Sequence, residues 1–254
     1  MLQALAGGAL FGEVWGPSPA EVLVLHGWGR SHGDFSGVVG PTAPEGPLPS
    51  CAPDLPGFGG SPAPPSAWGS AEYVAALLPL LEEGSGPARP VVVVGHSLGG
   101  RLAVTLAATR PDLVRALVLT GAPVGPHREG SRRPAARYRL ARALHRRGLL
   151  SEARMERGRQ RHGSADYRAA EGVMRAVLVR MVNERYDESL AAIRCPVELV
   201  WGDDDREVPV AVARSLLAAL PGATLSLCPG AGHLTPLSAP AALRSAVDRA
   251  LAAP

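Results

Sequence analysis

Short β-branched runs alternate with amphipathic helical stretches along most of this chain, and that predicts an α/β fold. Its core is a mostly parallel, doubly wound sheet with helices on both faces. Three observations carry the reading. EVLVL at 21–25, VVVV at 91–94 and VELVW at 197–201 are apolar runs bounded by turn residues, as expected of strands buried on both faces. Stretches with helical spacing lie between such runs. Residues 122–190 contain no strand-like run and read as a helical segment inserted between two strands.

The elements follow in chain order. LPSCAPD at 48–54 is a weaker strand candidate, because its prolines remove ladder donors. Pro-rich GPTAPEGPLP at 40–49 is a surface loop. Ser70 is placed to cap a helix whose Tyr73, Val74, Leu77, Leu78 and Leu81 share a face. A second helix should run from Ser97 to about Thr109, stopped by Pro111. RALVL at 115–119 and ATLSL at 223–227 are further strand candidates. Helices over 210–220 and from Pro240 to the end complete the core. In the insertion, residues 134–147 read as a helix with Pro in its first turn and Gly148 after its end. Ser151 and Ser164 suit the N-caps of two more. The last of these carries Tyr167, Ala170, Met174, Val177, Leu178 and Met181 at helical spacing. A core domain is therefore expected at 1–121 and 191–254, with a lid at 122–190.

Composition narrows the function. Apolar residues make up 46% of the 254, enough for a large core and too many for a disordered chain. All 26 basic residues are arginine. The insertion holds 16 of them against 8 acids (+8), leaving 10 against 15 elsewhere (−5), which sums to the net +3. Aromatics are sparse along the basic run, which argues against nucleic acid. Three widely spaced cysteines, Cys51, Cys195 and Cys228, form neither a disulfide framework nor a zinc pattern and suit a reducing compartment. The apolar N-terminus lacks a preceding basic residue, and no apolar stretch approaches the ~20 residues that span a bilayer. The expectation is a soluble cytoplasmic protein with no membrane, metal or cofactor.

In an open parallel sheet, ligands bind beyond the carboxyl ends of the strands. After VVVV comes Gly95-His96-Ser97-Leu98-Gly99-Gly100. Gly-x-Ser-x-Gly between strand and helix is a nucleophile elbow, a tight turn that exposes the serine at a helix N-terminus. Serine needs a base. His233, in a glycine-flanked loop before the last helix, can swing over the elbow. His96 should point away from the Ser97 hydroxyl, and His26 reads as a packing or loop-fixing residue. His127, His145 and His162 lie in the Arg-rich insertion and read as solvated. Thr120-Gly121-Ala122 after RALVL offers no carboxylate, which leaves Asp203, Asp204 and Asp205 as candidates for the acid. Oxyanion donors are expected at the Leu98 N–H and, from the loop after EVLVL, at the Trp28 N–H.

HGWG at 26–29, DLPGFGGS at 54–61, GHSLGG at 95–100, WGDDDREVP at 201–209 and GAGH at 230–233 together resemble the α/β-hydrolase superfamily, in its lid-bearing, esterase-like branch. The resemblance covers residues ~10–121 and ~191–254. It implies the α/β-hydrolase fold and selects Asp205 as the acid, through a G-x-x-D-x-x-V-P loop. It implies ester hydrolysis through an acyl-enzyme, with Ser97 as nucleophile, His233 as base, Asp205 as orienting acid, and Trp28 and Leu98 as oxyanion donors. A small-molecule ester is the implied substrate. Carbon–carbon, thioester and perhydrolytic reactions use the same residues, and a non-catalytic binding protein is the alternative of another class. HGWG and DLPGFG also resemble carboxylesterases that act on carrier-protein-linked methyl esters, for which the +8 insertion could dock an acidic carrier protein.

Overall fold

The structure is a computed structural model; it describes residues 1–82, 90–125, 151 and 165–253. Its strands are β1 (Gln3–Leu5), β2 (Leu10–Trp15), β3 (Val22–Leu25), β4 (Ser50–Asp54), β5 (Val91–His96), β6 (Val114–Thr120), β7 (Val197–Gly202) and β8 (Thr224–Cys228). They form one sheet in the order β1-β2-β4-β3-β5-β6-β7-β8. Strands β3 to β8 run parallel, while β1 and β2 join antiparallel at one edge. The expected α/β-hydrolase fold, a mostly parallel sheet flanked by helices, is what the chain adopts.

The helices are α1 (Ser70–Leu77), α2 (Pro79–Glu82), α3 (Leu98–Thr109), α4 (Ala165–Ala169), α5 (Gly172–Met181), α6 (Asp187–Ala192), α7 (Val210–Ala219), α8 (Thr235–Ser238) and α9 (Pro240–Ala252). Side chains alternate across a strand, so each central strand feeds two cores. Val91 and Val93 of β5 pack with Leu102 and Leu106 of α3. Val92 and Val94 pack with Leu243 and Val247 of α9 on the opposite face. Each such side chain contributes about 1.5–3 kcal/mol relative to an exposed one. The sheet is thus rigid where β3, β5, β6 and β7 end side by side.

Several expectations need correction. The N-cap of α1 is Gly69, not Ser70; the Glu72 side chain accepts the Gly69 N–H at 2.9 Å. Ser70 Oγ is instead 2.6 Å from Glu184 Oε2 and 2.8 Å from Tyr186 Oη. The stretch through Leu81 is two helices, parted at Pro79. The helix expected to span Tyr167 to Met181 is also two, α4 and α5, separated where Glu171 is extended and Gly172 has a φ of +51°. β1, β2, α6 and α8 add to the elements expected from the sequence. Residues 134–147 and the Ser164 cap lie outside the described residues, as do His127, His145, His162 and the residues that follow Ser151.

Helix α6 runs through the expected boundary at 190–191. The 165–192 segment is tied to the core through α1 and α3. Arg101 donates to the Met181 carbonyl at 2.6 Å and lies 5.5 Å from the centre of the Tyr186 ring. Arg180 bridges to Glu72.

Candidate active site

β5 ends in the elbow. Ser97 has φ 50° and ψ −108°, a conformation that non-glycine residues seldom occupy and that costs on the order of 1–3 kcal/mol. Its N–H donates to the Thr120 carbonyl at 3.0 Å, fixing the turn to β6. Glycines allow the crowding. A Cβ at Gly95 would stand 2.6 Å from the Gly99 oxygen, and one at Gly99 would overlap the Leu25 carbonyl. The Gly99 N–H donates to the His26 carbonyl at 3.0 Å, which couples the first turn of α3 to the end of β3.

The HGWG loop lies over this turn. A Cβ at Gly27 would stand 3.4 Å from Ser97 Cβ. His26 is buried and pins the loop: its Nε2 accepts the Leu55 N–H at 2.9 Å, and its Nδ1 donates to the Gly27 carbonyl at 2.7 Å. Burial drives the His26 pKa down to about 4, so the ring stays neutral. Neither the Trp28 N–H nor the Leu98 N–H has a hydrogen-bond partner among the described residues. The Trp28 ring meets Phe58 edge-on at 5.0 Å. Met174 of α5 lies against Gly57, so the 165–181 segment borders the same loops.

The acidic triplet after β7 divides its work. Asp204 pairs with Arg206 at the surface. Asp203 accepts the Gly230 N–H at 2.7 Å and so anchors the loop that carries His233. Asp205 is buried; its Oδ1 accepts the Glu207 and Val208 N–H groups at 2.9 and 2.8 Å, and its Oδ2 accepts from His233 Nδ1 at 2.8 Å. Burial alone would raise the Asp205 pKa. The hydrogen bonds from His233 and the two main-chain N–H groups outweigh that and hold it below the ordinary carboxylate value. Burial likewise pulls the His233 pKa down, but the bond and charge of Asp205, with Glu207 and Asp166 adding to it, hold it above the ordinary imidazole value.

The structure thus brings Asp205 and His233 into contact and leaves His233 Nε2 as the nitrogen without a carboxylate hydrogen bond. Glu207 Oε2 is 3.6 Å from that atom on an exposed side chain. No hydrogen bond joins Ser97 Oγ to the ring among the described residues, a looseness common before substrate binds. Two contributors escaped the sequence reading. Gly121, at φ +56°, leaves room for the imidazole, since a Cβ there would stand 2.8 Å from His233 Cε1. His96 Nε2 lies 2.9 Å from the His233 carbonyl oxygen. A glycine directly after a strand was the only available hint of the first; nothing local signals the second. Among the described residues no group of His, Cys, Asp and Glu is placed to hold a metal ion, and no helix is long and apolar enough to cross a membrane.

Strand order, elbow and loop placement define a class, and the sequence matches it: the chain belongs to the alpha/beta hydrolase family, whose profile covers residues 22–246. It is an esterase-like member of that family. It is 38% identical over 216 residues to lipase LipV of Mycobacterium tuberculosis, covering 81% of this chain and 76% of the relative. It is 32% identical over 249 residues to the pimeloyl-[acyl-carrier protein] methyl ester esterase of Chromobacterium violaceum, covering 90% and 92%. The solved structure of a thermophilic esterase from Thermogutta terrifontis superposes with a TM-score of 0.69 at 22% identity over 94% of this chain and 92% of that one, a likeness of fold.

Proposed function

We propose that the protein hydrolyses carboxylic esters through an acyl-enzyme on Ser97, with His233 as general base and Asp205 as the acid that orients it. The observation that carries this is the 2.8 Å Asp205–His233 bond through Nδ1. It fixes the tautomer that presents a lone pair on Nε2. His233 Nε2 takes the Ser97 proton as Oγ attacks the ester carbonyl. The resulting oxyanion is received by the Leu98 N–H, at the N-terminus of α3, and by the Trp28 N–H of the loop after β3. His233 then gives the proton to the departing alkoxide, and a water repeats the sequence to release the acid. Trp28, Phe58 and Met174 form an apolar wall suited to an acyl group.

A panel of p-nitrophenyl esters assayed with the wild type and Ser97→Ala tests the reading. The expected result is turnover by the wild type and none by the folded variant. Turnover by Ser97→Ala at the wild-type rate would overturn it. Carbon–carbon diketones and thioesters in the same panel distinguish the reactions that share these residues.

A second reading concerns the substrate. The Chromobacterium violaceum relative acts on a carrier-protein-linked methyl ester, and the 122–190 segment, taken as a lid, holds 16 arginines against 8 acids. If an acidic carrier docks there, kcat/KM for the carrier-linked ester falls steeply with ionic strength, while that for a neutral small ester does not. Equal salt dependence for the two would reject the carrier.

A further inference from the structure

We propose that His96, the residue before Ser97, is a positioning residue for His233, holding the main chain of the histidine loop so that the ring faces the elbow. This rests on the hydrolase reading above. His96 ends β5, is 1% exposed, and its Nε2 is 2.9 Å from the His233 carbonyl oxygen. A carbonyl oxygen only accepts, so Nε2 carries the proton and Nδ1 carries a lone pair. The two imidazoles lie 4.9 Å apart, tilted by 49°.

The chemistry of position 96 supports a role beyond filling space. His96 Nδ1 is buried and has no hydrogen-bond partner among the described residues. An unpaired buried acceptor is unfavourable, and an apolar side chain would avoid it. What the imidazole supplies in return is one donor to the His233 main chain. That donor adds to the bonds that already hold this glycine-bearing loop, Asp203 to the Gly230 N–H at 2.7 Å and the Thr235 N–H to the same His233 carbonyl at 2.9 Å, and unlike them it comes from the strand that carries the nucleophile. The ring itself is confined, since a Cβ at Gly27 would stand 2.7 Å from Nδ1. His96 therefore joins the nucleophile's own strand, one residue before Ser97, to the main chain of the base itself.

Charge agrees with that assignment. The groups that act on His233 are Asp205 at 2.8 Å, Glu207 at 3.6 Å, the more distant Asp166, and His96. Burial pushes the His96 pKa down to about 4. The ring stays neutral and sets no second positive charge against the imidazolium that forms on His233 during turnover.

The test compares His96→Leu with His96→Gln, whose terminal amide N–H can reach the same carbonyl, and with Ser97→Ala. Each is assayed on p-nitrophenyl acetate across pH, with the melting temperature and the downfield proton resonance of the Asp205–His233 bond recorded. His96→Leu is expected to lower kcat by about tenfold to a hundredfold with little change in KM. It should also move the acid limb of kcat/KM to lower pH and weaken the downfield resonance. His96→Gln is expected to recover most of all three. A merely structural residue would lower the melting temperature of His96→Leu and leave the acid limb and the resonance in place.

The proposal is overturned if folded His96→Leu keeps wild-type kcat and acid limb, or if glutamine does no better than leucine. If leucine prevents folding, His96→Asn, whose shorter amide falls short of the carbonyl, makes the same comparison with glutamine. Ser97→Ala separates the levels. If it retains turnover, the hydrolase reading fails and this proposal with it. If it is inactive while His96→Leu is unaffected, this proposal alone fails.

Discussion

Asp205 Oδ2 and His233 Nδ1 share a 2.8 Å hydrogen bond, while the other oxygen of Asp205 is held by the Glu207 and Val208 N–H groups. The carboxylate is thus fixed from behind by main chain and faces one side chain only. The same contact sets the tautomer, the orientation and the proton affinity of the ring.

Asp205→Asn is expected to keep the fold and to lose activity. The asparagine oxygen can still accept both main-chain N–H groups, but its amide N–H now faces Nδ1 and reverses the tautomer. A fall in kcat of about 10³- to 10⁴-fold is expected, with the melting temperature close to wild type. Steady-state kinetics beside a thermal melt check this; a fall of less than tenfold would remove Asp205 from the mechanism.

The acid limb of kcat/KM should lie above the ordinary imidazole value of about 6.5. The His233 pKa is raised, so the ring is protonated and inactive below that limb, and neutral and competent above it. Glu207→Gln removes one contributing charge and should move the limb slightly lower, by little because Glu207 is exposed. A limb below 6.5 in the wild type would contradict the charge arrangement described.

Acid should destabilise the fold before it protonates most carboxylates. His26 and His96 are both depressed to about 4. The unfolded chain therefore binds protons there from about pH 6.5 downward, while the folded chain does not. Stability falls as pH drops through that window, by about 2 kcal/mol per ring at pH 5. His233 runs the opposite way, because its raised value favours the folded state below 6.5 and loses that contribution as pH rises. Urea midpoints at pH 7.5, 6 and 5 measure the sum, and His96→Gln should flatten part of the decline. An unchanged midpoint between pH 6 and 5 in the wild type would refute it.

Two glycines should respond differently to alanine. Gly230 has open space around its Cβ position and only a positive φ, so Gly230→Ala should cost about 1–2 kcal/mol. At Gly99 the added methyl would overlap the Leu25 carbonyl, so the elbow helix and β3 must part. Gly99→Ala should destabilise by more and abolish activity. Urea denaturation of the two variants ranks them; equal costs would mean that the β3–α3 approach is not tight.

The parts of this molecule legible in sequence are those with a single physical cause. β3, β5, β6 and β7 are buried on both faces, so their runs are apolar regardless of neighbours. β1 and β2 add antiparallel at the edge, partly exposed, and their sequence carries no such run. α4 and α5 share a helical spacing that Gly172 interrupts, a break that depends on one dihedral angle and leaves the periodicity intact. Ser70 suits a cap by residue type, but its hydroxyl is taken by Glu184, 114 residues away. The choice of Asp205 among three aspartates came from family likeness; only the folded loops show Asp203 on Gly230 and Asp204 on Arg206. Contacts such as His96 to the His233 carbonyl join residues 137 apart and leave no trace in local pattern.

The central claim is that Ser97 attacks, and a fluorophosphonate probe tests it most directly. After incubation with excess probe, intact-mass and peptide-level mass spectrometry should find one adduct per chain, on Ser97, with ester turnover lost in proportion. Ser97→Ala should take none, and Asp205→Asn should label far more slowly. Absence of an adduct on an active preparation, or an adduct on another residue with activity lost, would contradict the account.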